Sequence, residues 1–122
     1  MDILFLSKLS KLKRTVEKFQ TVAAVANTYT LSLASNNRNF AIETTDDNAK
    51  TIAFSNVPTI SGLIIQVTVK LKYTNAAAIT HPTGTVWKDA ATPAFSAGKQ
   101  YLILYTSYDN GTTWLTSAVG AW

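Results

Sequence analysis

The chain has 122 residues, 47% of them apolar, 15% charged and none cysteine. That suits one compact domain with a short appendage and argues against intrinsic disorder; it excludes a disulfide framework, a thiolate metal site and a cysteine nucleophile. The net charge of +4 is concentrated at the start: Lys8, Lys11, Lys13, Arg14 and Lys18 oppose only Asp2 and Glu17, so the remainder is nearly neutral and lacks the basic face that phosphate binding needs.

The first 26 residues repeat apolar side chains every seven positions. Leu9, Val16 and Ala23 fall in one register, and Phe5, Leu12, Phe19 and Ala26 in the other, as the a and d positions of a coiled coil would. This spacing predicts an amphipathic α-helix over residues 1–26. Its seam would be Phe5, Leu9, Leu12, Val16 and Phe19, serving oligomerisation or attachment. Three arrangements would cover that seam: a parallel bundle of copies, packing onto the chain's own β domain, or a membrane surface. The aromatic d positions favour protein. No run approaches the roughly 18 apolar residues of a membrane span, so no insertion is expected. The cations follow the first apolar run instead of preceding it, so no signal peptide is read.

From Thr28 the period changes to two, and residues 27–122 read as a β head. Tyr29, Leu31 and Leu33 alternate with Thr and Ser; Phe40 with Ile42, and Ile52 with Phe54, continue the pattern. The longest case sets Leu63, Ile65, Val67, Val69, Leu71 and Tyr73 against Gln66, Thr68, Lys70 and Lys72. Turn-forming clusters separate these runs. The expected fold is therefore mainly β, an antiparallel sandwich or jelly roll after the N-terminal helix. "QYLILYTSY" departs from the alternation: Tyr101, Ile103 and Tyr105 face one side, Leu102 and Leu104 the other. Both faces should then be covered, which points to self-association.

Ser107 to Trp114, "SYDNGTTW", matches the Ser-x-Asp-x-Gly-x-Thr-Trp "Asp-box" of sialidases and other sugar-processing propellers. One copy on a chain with two arginines, Arg14 and Arg38, does not make a propeller enzyme. Asp109, Asn110, Gly111 and Trp114 read instead as a structural turn opening a strand. His81 is the only histidine, and Asp46 and Asp47 are ordinary turn residues, so no catalytic constellation, metal site or cofactor is expected. Trp87, Lys88 and Asp89 form the candidate saccharide contact, because an exposed flat ring beside polar groups stacks on pyranose faces. Packing of Trp87 under a loop is the competing reading.

The stretch "AAAITHPTGTVWKDAATPAFSAGKQYLILYTSYDNGTTWLTSAVGAW" resembles the terminal β domain of bacteriophage tail-fibre, baseplate and virion-appendage proteins. Trp87, Asp89, Pro93, Gly98, Lys99, Leu104, Tyr105, Thr106, Asp109, Gly111, Thr112, Thr113 and Trp114 fall in step with that pattern. Ala90 departs from it, standing where Gly is commoner. The upstream "NTYTLSLASNNRNFAIETTDDNAKTIAFSNVP" is similar too, so the resemblance covers residues 27–122. It implies a non-enzymatic and usually homotrimeric virion component that joins other virion proteins through its N-terminal segment. A tail-tip, baseplate or fibre role on host-surface saccharide is expected. The alternatives are a capsid fibre or decoration, a spacer between tail parts, and a free lectin-like module.

Overall fold

The computed structural model describes residues 18–120, and these form nine strands in two layers. In chain order they are β1 (Gln20–Thr21), β2 (Thr28–Ser32), β3 (Asn39–Glu43), β4 (Lys50–Ser55) and β5 (Ile65–Tyr73). β6 (Ile79–Thr80), β7 (Thr85–Trp87), β8 (Lys99–Ser107) and β9 (Trp114–Gly120) follow. One sheet has the order β1-β3-β5-β8-β9-β7 and the other β2-β4-β6.

The chain alternates between layers from β1 to β6. Odd strands therefore stack in parallel in the large sheet, and even strands stack in parallel in the small one. The β8–β9 hairpin then closes the large sheet, with β8 antiparallel to β5 over nine residue pairs from Ile65↔Ser107 to Tyr73↔Lys99. β7 lies outermost, parallel to β9.

The alternating apolar residues meet between the layers. Tyr29, Leu31 and Leu33, Phe40 and Ile42, and Ile52 are buried together with Ile65, Val67, Val69, Leu71 and Tyr73. Tyr101, Ile103, Tyr105 and Trp114 complete that core, and Phe54 meets Tyr105 edge-on with ring centroids 5.3 Å apart. The period-two pattern thus sets the inward face, and removing these side chains from water supplies the main driving force.

Two expectations are corrected. The N-terminal helix over 1–26 is contradicted where the structure describes it: no helix occurs among the described residues. Gln20 and Thr21 pair with Phe40 and Ala41, the Val22 N–H donates to the Ala41 carbonyl at 3.0 Å, and Ala26 and Asn27 take positive φ of 50° and 63°. Thr21, Val22 and Val25 are β-branched, Ala23 and Ala26 offer little seam, and the edge of β3 presents unpaired backbone groups. Those local terms outweigh the heptad spacing. Phe19, the one seam residue inside this range, is 43% exposed. Phe5, Leu9, Leu12 and Val16 lie outside the described residues.

The sandwich is also not antiparallel throughout. The small sheet is wholly parallel and the large one mixed, because each crossover passes to the other layer instead of forming a hairpin. Apolar periodicity reports which face is buried; it is silent on strand direction.

Gly84, in the turn before β7, fixes where the outer strand meets the hairpin. Its φ is +87°, and a Cβ there would lie 2.1 Å from the Thr112 carbonyl oxygen. Its own carbonyl accepts from the Trp114 N–H at 2.9 Å. Gly84→Ala is expected to lower stability by about 2–3 kcal/mol, since left-handed strain and a backbone clash add. A urea midpoint unchanged from the parent would contradict this reading of the turn.

Candidate functional site

The edge formed by β7 and the turn after it carries the sequence-derived candidate contact. Within β7, Val86 faces outward opposite Leu115, whereas Trp87 faces inward opposite Thr116. The indole packs edge-on against His81 with centroids 4.8 Å apart and is half-buried. The chain then turns sharply: the Lys88 N–H donates to the Thr116 carbonyl at 2.9 Å and the Ala90 N–H to the Trp87 carbonyl at 3.0 Å. Ala90 sits at φ 58°, in the left-handed region that favours glycine. Lys88 and Asp89 are exposed beside this turn.

The result is an open groove of about 200 Å³ between Trp87, Lys88, Asp89, Ala91 and Pro93 on one side and Thr116 to Val119 on the other. A second depression of about 360 Å³ continues from it over Val86, Lys88, Leu115 and Ser117. The structure therefore brings Trp87, Lys88 and Asp89 together at one rim, with Trp87 contributing part of its ring and using the rest to pack. A groove of this kind offers an aromatic surface, an ammonium, a carboxylate and a hydroxyl, all suited to holding a polyol.

Asp109, Asn110 and Gly111 form the turn that leads into β9, and Trp114 opens that strand, whose Thr116 to Val119 segment lines the groove. The Ser107 hydroxyl donates to Asp109 Oδ1 at 2.9 Å and accepts from the Gly111 N–H at 2.8 Å, while the Thr113 N–H donates to Asp109 Oδ1 at 2.8 Å. The Thr113 N–H, with help from Ser107, holds the Asp109 carboxyl below its usual range. Asn110 has φ 57°, Gly111 has φ +83° with Val57 against its α-carbon, and Trp114 is buried. All four residues are occupied in shaping the turn.

Sequence reasoning passed over one buried polar residue. Lys50 opens β4 on the inward side and is 2% exposed, an extreme position for an ammonium. Its Nζ donates to Asn27 Oδ1 at 3.1 Å, to the Asn48 carbonyl at 2.9 Å and to Asp46 Oδ1. The Lys50 ammonium in turn holds the Asp46 carboxyl below its ordinary value. The available signal was Lys50 standing in phase with Ile52 and Phe54.

His81, beyond β6, has Nδ1 2.8 Å from the Tyr105 hydroxyl, and its buried Nε2 meets no partner among the described residues. Burial lowers its pKa to about 4 and raises that of the Tyr105 phenol. The ring is therefore neutral near pH 7 and packs among Trp87, Phe95 and Tyr105.

Among the described residues, no group of three or more His, Cys, Asp or Glu converges as a metal site would require. Compared with known proteins, the chain matches no family model, no curated protein and no solved structure.

The buried His81 links stability to pH. The unfolded chain takes up its proton near 6.5 and the folded chain only near 4, so stability should fall as pH drops through that interval. The loss is about 2 kcal/mol once partial solvent contact is allowed for. Below it, protonation of Asp46 and Asp109, whose folded values are depressed, removes further stability. Urea denaturation across pH 3–7 would show the upper step in the parent and not in His81→Gln; a step of equal size in both would exclude His81 as its source.

Proposed function

We propose that this chain is a non-enzymatic bacteriophage virion protein, a tail-tip, baseplate or fibre component. On this reading several copies together present the β head to host-surface saccharide. The resemblance carried by Trp87, Asp89, Pro93, the Gly98–Lys99 pair and the Asp109–Trp114 turn supports the virion assignment.

The observation that carries the saccharide reading is the groove at the β7 edge. Trp87, Lys88 and Asp89 share its rim, and Ser117 supplies a hydroxyl opposite. An extended surface glycan lies readily across so open a depression. Individually weak contacts of this kind gain strength when several heads act on one cell surface. No charged residue in the groove is tied down: Lys88 and Asp89 are both exposed and belong to no ion pair among the described residues.

Retention of the full chain on purified lipopolysaccharides and wall teichoic acids tests the reading. At least one saccharide class should bind, and Lys88→Ala with Asp89→Ala should weaken it about tenfold or more without changing the melting temperature. Failure of every saccharide, or undiminished binding by the double variant, would contradict the assignment.

A further inference from the structure

The cluster around Lys50 carries more chemistry than an ion pair uses. The side chain is 2% exposed, and its amine meets two different carbonyl functions, the carboxamide of Asn27 and the carboxylate of Asp46. Nζ donates to Asn27 Oδ1 at 3.1 Å, so the carboxamide carbon lies one bond beyond a hydrogen-bonded oxygen. The Asn48 carbonyl accepts a further N–H at 2.9 Å. Backbone contacts hold these groups in place. The Thr51 N–H donates to the Asn27 carbonyl at 2.9 Å, Thr28 pairs with Thr51, and Asn27 sits at φ 63°. Asn27 is thereby fixed beside the first residue of β4. The Asp46 carboxylate is anchored in turn by the Asn48 N–H at 2.9 Å.

We propose that this cluster makes a covalent cross-link, in which Lys50 Nζ displaces ammonia from Asn27 and the two side chains become joined by an amide. An amine, a carboxamide carbon and a proton-accepting carboxylate held in contact are the groups that this acyl transfer needs. Asp46 first takes a proton from the Lys50 ammonium, leaving a neutral amine and a carboxylic acid. Rotation about Cε–Nζ turns the freed lone pair toward Asn27 Cγ, while the two remaining N–H bonds stay on Asp46 and Asn48. The Nζ–Cγ bond forms as the carbonyl π pair moves onto Oδ1, giving a tetrahedral carbon. Asp46 passes its proton to Nδ2 and receives one from Nζ. The Cγ–Nδ2 bond then breaks, the carbonyl reforms and ammonia departs, taking the proton from Asp46 as it leaves. One ammonium and one carboxamide have become one amide and free ammonium ion, with no oxidant or second substrate.

Desolvation favours the product, because a buried ammonium is replaced by a neutral amide. Asp46 is 48% exposed and stays solvated after losing its partner. Asn27 is exposed as well, and all three residues border a depression of about 440 Å³ that gives ammonia a route to water. Lys50 holds the Asp46 carboxyl below its ordinary value, so the first proton transfer is uphill and the reaction is a slow, single event in each chain. The bond ties the approach to β2 onto the start of β4 and closes the loop between them, a staple for a chain without cysteine. It is independent of the saccharide groove and of copy number.

Intact-mass spectrometry of the full chain, kept folded at neutral pH, tests the proposal. The mass should settle about 17 Da below that of the sequence, the mass of the ammonia lost. Trypsin should then release residues 19–38 joined to residues 39–70, because acylated Lys50 resists cleavage. Asp46→Ala, at a half-exposed position, should keep the β signature in circular dichroism and hold the full mass. Should that variant fail to fold, the branched peptide of the parent still decides the matter. Succinimide formation at Asn110–Gly111 loses the same mass, yet it opens in mild alkali and leaves the two peptides separate. A folded parent that keeps its full mass, a loss located at Asn110, or an undiminished link in Asp46→Ala would overturn the proposal.

Discussion

The β5–β8 ladder is the constraint on which the rest of this architecture depends. Nine residue pairs join the last strand of the parallel winding to the first strand of the closing hairpin. Their inward members, from Ile65 with Ser107 to Leu71 with Tyr101, form the middle of the core. A one-residue slip would turn Val67, Val69, Ile103 and Tyr105 to the outside, so register is held by the hydrophobic effect across the whole width of the sandwich. The small sheet then needs only to cover what this ladder presents, which it does with Tyr29, Leu31, Ile52 and Phe54.

Polar groups at the ends of the layers are tied to the same frame. Lys50 enters the core only because Asn27, Asp46 and Asn48 converge on its ammonium from the adjoining loops. His81 is kept neutral by burial against Trp87 and Tyr105. The rim of the candidate groove is therefore supported from beneath by a ring whose protonation would oppose its packing.

Much of the inward face was legible in the sequence, because alternation at Tyr29–Leu33, Phe40–Ile42 and Leu63–Tyr73 reflects burial directly. Strand direction was not, since a parallel crossover between layers and an antiparallel hairpin leave the same apolar pattern. The helix expectation failed over residues 18–26 where sheet pairing competed with weak heptads of alanine. Among the site residues, the Asp109–Trp114 turn could be anticipated from its side-chain chemistry. The inward aim of Trp87 could not, because it follows from a three-residue pairing with β9 that local composition does not encode. Lys50 escaped notice because a lysine in an apolar phase is ordinarily assigned to solvent.

The hairpin that closes the core also carries apolar side chains on its outer face, where Leu104, Leu115 and Val119 are exposed among the described residues. The most direct measurement is nuclear magnetic resonance of methyl groups with a soluble paramagnetic probe, with and without a retained saccharide. The account predicts that the methyls of Leu115 and Val119, which line the groove, are accessible in the chain alone and become shielded once saccharide is added, while that of Thr30, exposed on the small sheet, stays accessible throughout. Unchanged accessibility of all three would contradict it.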